Sequence, residues 1–137
     1  MIVAAARLWL GTPYHDQASV HGVGCDCLGL ARGVWRDMIG DEPLLVPPYS
    51  RDWGEVGQIE MLSEACRHAR MTEVREPVAG ALVLFRMRER AIAKHCAICT
   101  GQTLIHAREK LGVIEEPFTA AWRRRMAFVF LYPVGAV

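Results

Sequence analysis

A thiol beside an imidazole can attack a carbonyl, provided a third group fixes which imidazole nitrogen carries the proton. Cys27, His95 and His106 have the types and spacing for that chemistry. From Cys27 onward, Cys27, Leu30, Ala31, Val34, Trp35 and Met38 recur every three or four residues, and Gly40 closes the run. That period predicts an amphipathic helix, with Asp26 where an N-cap would stand. The Cys27 thiol then falls in the first turn. Unpaired N–H groups and the positive end of the helix dipole favour a thiolate there, and the same N–H groups can hold an oxyanion. By position alone, a small buried apolar residue is the commoner fate of such a cysteine.

Hairpin arithmetic brings the two histidines together. Gly101 and Gln102 read as a tight turn between strands His95–Thr100 and Thr103–Ala107. Thr100 then pairs with Thr103, and Ala97 with His106. His95 lies two residues from Ala97, on the same face, so His95 and His106 are diagonal cross-strand neighbours within reach of long side chains. One imidazole donating to the other is a workable orienting arrangement. Each histidine taken singly reads as an exposed or satisfied residue; the shared face moves the pair toward function.

Metal binding is the rival use of these residues. Cys25-x-Cys27 and Cys96-x-x-Cys99 with His95 could be written as a zinc or iron–sulfur site. The strand reading disfavours it, because Cys96 and Cys99 fall on opposite faces and a metal knuckle needs a turn. No metal and no other cofactor is therefore expected. Cys66 reads as core, Cys25 as a spectator thiol, and His15 and His21 as surface loop residues.

The elements that must position these groups divide the chain in two. The first half reads as helical: Ile2–Leu10, the Cys27 helix, and a third helix marked by Ile59, Leu62, Cys66 and Ala69. Thr12–Gly24 and the proline-bearing Asp41–Gly57 read as loops. After Pro77 and Gly80 the period becomes two, with strands expected at Ala81–Met87, His95–Thr100, Thr103–Ala107, Gly112–Glu115 and Ala127–Tyr132. Helices followed by a run of antiparallel strands predict an α+β fold in a single domain, residues 1–137.

Composition closes off other classes. The 137 residues carry a formal net charge of +1, so no concentrated positive field invites nucleic acid. The Arg123–Arg125 run reads as a solvated face. No apolar stretch is long enough to span a membrane. Met1–Leu10 lacks a basic start and is interrupted by Arg7, so no signal peptide is expected. The five cysteines are an odd count, which argues against a disulfide framework.

Four motifs in order resemble a known family. They are Gly11-Thr-Pro-Tyr14, Gly24-Cys-Asp-Cys-Leu-Gly-Leu30, Lys94-His-Cys-Ala-Ile98 and Leu104-Ile-His-Ala107. Their order and spacing are similar to those of the NlpC-type papain-like cell-wall peptidases. Pro47–Trp53 and Trp122–Arg125 resemble the branch found among tail genes of phages and gene transfer agents. The resemblance implies a papain-like fold, with the nucleophile on a helix packed against a central antiparallel sheet. It implies cleavage of peptidoglycan stem peptides beside D-glutamate and a diamino acid. Cys27 takes the nucleophile position, His95 the base position and His106 the orienting position. Tyr14 takes a place beside the oxyanion, and Asp26 one that meets the substrate amine. Tail-tip proteins are the implied partners. The implied setting is synthesis in the bacterial cytoplasm and action in a tail or in the periplasm of a target cell. A structural tail-tip component that keeps the fold for docking, through Pro43–Trp53 or the C-terminal arginines, is the alternative. The chain departs from the family at Leu28, where serine is usual, in the His15–Val23 loop, and at Gly80-Ala81, where Gly-Asp is usual.

Overall fold

Buried apolar side chains on both faces of one sheet organise the molecule, for which the computed structural model describes residues 1–43, 60–89 and 91–134. The chain runs α1 (Ile2–Arg7), β1 (Ser19–Val20), β2 (Gly24–Cys25), α2 (Cys27–Met38), α3 (Met61–His68), β3 (Thr72–Val74), β4 (Ala81–Phe85), β5 (His95–Cys99), β6 (Thr103–Arg108), β7 (Gly112–Pro117), α4 (Ala120–Arg125) and β8 (Met126–Leu131). Six strands form an antiparallel sheet in the order β3-β8-β4-β5-β6-β7. Among the described residues, no helix is long and apolar enough to cross a membrane.

Strand alternation splits the core in two. Leu82, Leu84, Cys96, Ile98, Ile105 and Phe130 pack against the residues of α1, α2 and α3. Ala81, Val83, Phe85, Ala97, Cys99 and Leu104 face the other way and pack with Phe118 and Trp122. Both faces are covered, which is why β4 is buried at all five positions instead of alternating. Cys96 and Cys99 belong to the two opposite clusters, as their spacing on a strand requires.

Helix α2 begins at Cys27 with Asp26 as its N-cap, whose carboxylate accepts from the Gly29 N–H at 2.7 Å. Two glycines let it approach its neighbours. A Cβ on Gly29 would lie 1.8 Å from the Ala18 carbonyl oxygen, and one on Gly33 would lie 2.1 Å from the Trp9 ring. Trp9, 1% exposed, closes over Gly33 and donates its indole N–H to Asp37 at 2.9 Å.

Several sequence expectations change. The expected Thr12–Gly24 loop contains the short hairpin β1–β2, held by backbone pairing of Ser19 with Cys25 and Val20 with Gly24. Helix α1 stops at Arg7, and Leu8–Gly11 turns instead. Strand β3 and helix α4 have no counterpart in the sequence reading; Arg123–Arg125 lies on α4 and is exposed, as a solvated face requires. Arg123 and Arg125 stack over Phe118 and Trp122, at 4.3 and 5.8 Å. Strand β7 runs to Pro117, two residues beyond the expected Glu115. Ile59, Arg90 and the Pro47–Trp53 motif lie outside the described residues.

Candidate active site

The segment Gly11–Tyr14 is laced to its surroundings by backbone bonds. Gly11 N–H donates to Val113, Val113 N–H to Thr12, and Cys25 N–H to Pro13, at 2.9–3.0 Å. Thr12 is buried, and its hydroxyl accepts from Gly22 N–H at 3.1 Å. Tyr14 bridges to Cys25 and is thereby held two residues from the start of α2. Its phenol is half-buried, and burial together with the negative charge of a Cys27 thiolate pushes its pKa up, so it stays a hydrogen-bond donor.

Cys27 occupies the first turn of α2, half-buried, and its sulfur lies 3.7 Å from the Lys94 carbonyl at the threshold of β5. The Cys96 thiol donates to the Cys27 carbonyl at 3.3 Å and also reaches the Cys27 sulfur. The Cys96 hydrogen bond, and then the neighbouring His95 imidazole, lower the Cys27 pKa well below the ordinary thiol value despite burial. Cys96 and the other thiols move in the opposite direction. Burial pushes Cys25 and Cys66 up to about 12, and Cys99 is raised as well. Cys27 alone among the five is disposed to ionise.

His95 and His106 meet as the hairpin arithmetic predicts. Ile98 pairs with Ile105 and Cys99 with Leu104, which sets Ala97 opposite His106 and puts His95 on the diagonal. His95 Nε2 lies 2.8 Å from His106 Nδ1. The second nitrogen of His106, Nε2, lies 2.7 Å from Glu116 Oε2. His106 is fully buried, and burial and the adjacent His95 hold its pKa down at about 4, so it is neutral near pH 7.

Trp122, 6% exposed, backs this row of groups. Its ring stacks on His95 at 5.6 Å with planes 26° apart and meets His106 edge-on at 5.2 Å. Its indole N–H donates to Glu116 Oε1 at 3.3 Å. Sequence reasoning missed Glu116 and Trp122. The signal for Glu116 was one more round of strand arithmetic: His106 pairs with Ile114, so Glu116 is diagonal to His106 as His106 is to His95. Ending the expected strand at Glu115 hid it.

Asp26 has a different setting from Cys27. It is 4% exposed; one carboxylate oxygen caps α2, and the other accepts from Gln17 N–H at 2.7 Å. Gln17 adopts a left-handed φ of 65° to make that bond. The carboxylate thus ties together the loop and the helix start that carry the nucleophile. Leu28 is half-buried and lines an apolar recess with Ala31, Trp35, Leu62 and Tyr132. His15 and His21 are exposed, and His21 packs edge-on against Trp9 at 5.3 Å. Beside Tyr14 opens a cleft of about 690 Å³, bordered by His15, Asp16, Glu109 and Lys110.

No family model and no curated protein matches the chain. Solved structures do. The NlpC/p60 domain of the peptidoglycan hydrolase SagA superposes with a TM-score of 0.62 at 22% identity, over 96% of each chain. A protein described as similar to lipoprotein, NLP/P60 family, from Staphylococcus aureus subsp. aureus Mu50 gives 0.58 at 19% identity, over 95% of this chain. An NLPC/P60 family protein from Bacillus cereus ATCC 10987 gives 0.57 at 20%, over 93% of this chain. This chain spans 39% and 38% of the length of those last two proteins. Over nearly its whole length, the chain has the α+β, papain-like fold of NlpC/p60 domains.

Proposed function

We propose that this protein is a cysteine peptidase that hydrolyses an amide bond in the stem peptide of bacterial peptidoglycan. The observation that carries this reading is the meeting of Cys27, at the start of α2, with the His95–His106 pair on the interior strands β5 and β6. The fold likeness to a peptidoglycan hydrolase domain supports the substrate class. Cleavage beside D-glutamate and a diamino acid, and a place at the tip of a phage-like tail, belong to the same proposal and rest on the motif resemblance.

The chemistry is acyl transfer. His95 takes the proton from the Cys27 thiol, and the thiolate sulfur attacks the scissile carbonyl carbon. The backbone N–H at the start of α2 and the Tyr14 hydroxyl stabilise the oxyanion. Collapse of the tetrahedral species breaks the C–N bond as His95 protonates the departing amine. Water, deprotonated by His95, then releases the acyl group as a carboxylate and restores the thiol. The Tyr14 cleft offers acidic and basic borders in Asp16, Glu109 and Lys110, which suits a peptide carrying both carboxylates and an amine. Asp26 serves in this reading by holding the helix start.

Purified peptidoglycan digested with wild type and with Cys27→Ala, followed by mass spectrometry of the released peptides, tests the proposal. Wild type is expected to generate new stem-peptide termini and the variant none. Undiminished cleavage by a folded Cys27→Ala protein would refute it.

A further inference from the structure

We infer that Glu116 is a positioning residue that sets the tautomers of both histidines, so that His95 offers an unprotonated Nδ1 to the Cys27 thiol. The inference rests on the reading of Cys27 and His95 as nucleophile and base, and it assigns the group that makes that base competent. Glu116 stands on the edge strand β7. Its Oε1 is met by the Trp122 indole N–H at 3.3 Å, and its Oε2 by an Arg108 guanidinium N–H at 3.1 Å. Indole and guanidinium nitrogens can only donate, so both oxygens accept, and the adjacent Arg108 charge favours the ionised carboxylate. Hydrogen bonds from His106, Trp122 and Arg108 accordingly hold it below the usual carboxylate range despite partial burial.

A carboxylate 2.7 Å from His106 Nε2 requires a proton on that nitrogen, because two acceptors at that distance repel. His106 is fully buried and neutral, so it has one ring proton to place. With the proton on Nε2, Nδ1 is a lone pair. That lone pair lies 2.8 Å from His95 Nε2, which must then be the donor. A neutral His95 with its proton on Nε2 has Nδ1 free to accept the proton of Cys27. The opposite tautomer chain would leave His95 carrying a proton on the nitrogen available to the thiol, and no base would be present. When Cys27 ionises, its proton moves to His95 Nδ1. His106 and Glu116 keep their protonation states, and the charge of Glu116 favours the imidazolium across the neutral ring between them.

The arrangement follows from sheet geometry. His95, His106 and Glu116 stand on β5, β6 and β7, each diagonal to the next on one face. Trp122 covers all three and contacts each.

Nitrogen-15 NMR of the ring nitrogens at neutral pH reads the tautomers directly and needs no substrate. Wild-type His106 is expected to carry its proton on Nε2. Glu116→Gln keeps the shape but offers both a donor and an acceptor, so it should yield a mixture of His106 tautomers. Glu116→Asp keeps the charge and should restore the Nε2 proton. Alkylation of Cys27 by iodoacetamide at pH 7 should slow about 10- to 100-fold in Glu116→Gln, the scale of losing a carboxylate that orients a metal-bound histidine, and recover in Glu116→Asp. Peptide KM should stay near wild type in both, since Glu116 acts through two rings.

A wild-type His106 protonated on Nδ1 would overturn the inference. So would a Glu116→Gln protein with unchanged His106 tautomer, whatever its alkylation rate. The nucleophile reading fails separately, if Cys27→Ala still digests peptidoglycan or if wild-type Cys27 alkylates no faster than the other thiols.

Discussion

Lowering the pH should destabilise the fold through His106. The ring is fully buried, and its pKa falls from an ordinary 6.5 to about 4, chiefly because burial penalises the imidazolium. Between those two values the unfolded chain binds a proton that the folded chain refuses, so stability falls as pH falls. The stabilising contribution is complete above pH 6.5 and is exhausted near pH 4. At 1.36 kcal/mol per unit, the whole window is worth about 3 kcal/mol, with about 1 kcal/mol gone by pH 5.5 and about 2 kcal/mol by pH 5. Urea unfolding followed by tryptophan fluorescence at pH 7.5, 5.5 and 5.0 measures it, with His106→Gln as the control. The variant starts less stable but lacks the titration, so the gap between the two proteins should narrow by those amounts. Most other ionisable groups act alike in both and cancel. Glu116 does not, since its depressed carboxyl depends partly on His106, but its contribution is lost only as the pH falls through the carboxylate range below the window used. A gap that stays constant from pH 7.5 to 5.0 would refute the reasoning. The same titration should cut Cys27 reactivity, because a protonated His106 presents N–H to His95 and breaks the relay.

Gly29→Ala should cost at least about 2–3 kcal/mol, since its methyl would meet the Ala18 carbonyl oxygen at 1.8 Å and backbone must move; chemical denaturation checks this. Its damage should extend to Cys27 reactivity, because Ala18 also accepts from the Asp26 N–H at the start of α2. Trp122→Ala should cost about 3–5 kcal/mol as a large-to-small core change. Trp122→Phe should keep much of that stability while losing the N–H to Glu116, so a drop in Cys27 alkylation larger than its drop in denaturation midpoint is the expected signature.

Much of the candidate site was legible because it depends on local rules. Helix α2 follows from a 3.6-residue period with Asp26 before it, and its start was placed at Cys27 by both the period and the structure. The His95–His106 meeting follows from a tight turn and the two-residue alternation of a strand. Even the Cys-Leu-Gly-Leu motif carries a local steric demand at Gly29, although the group that makes the demand, Ala18, lies on a loop whose path sequence alone did not trace.

What the sequence determined, then, was which residues share a face and which helix end holds a thiol, because spacing along one chain settles both. The tertiary structure decided which groups complete the relay and which brace the helix start. Glu116 joins His106 only because β7 continues past Glu115 and pairs with β6, a non-local alignment. Trp122 covers the imidazoles only because α4 folds back over the sheet. Asp26 is tied to Gln17, nine residues away on a tightly turned loop, as well as to the Gly29 N–H of its own helix. Burial is the common physical reason. The depth of a side chain is set by everything packed around it; that depth makes His106 a neutral link and holds Cys25 and Cys66 as thiols, while the neighbouring Cys96 and His95 lower Cys27 against its own burial.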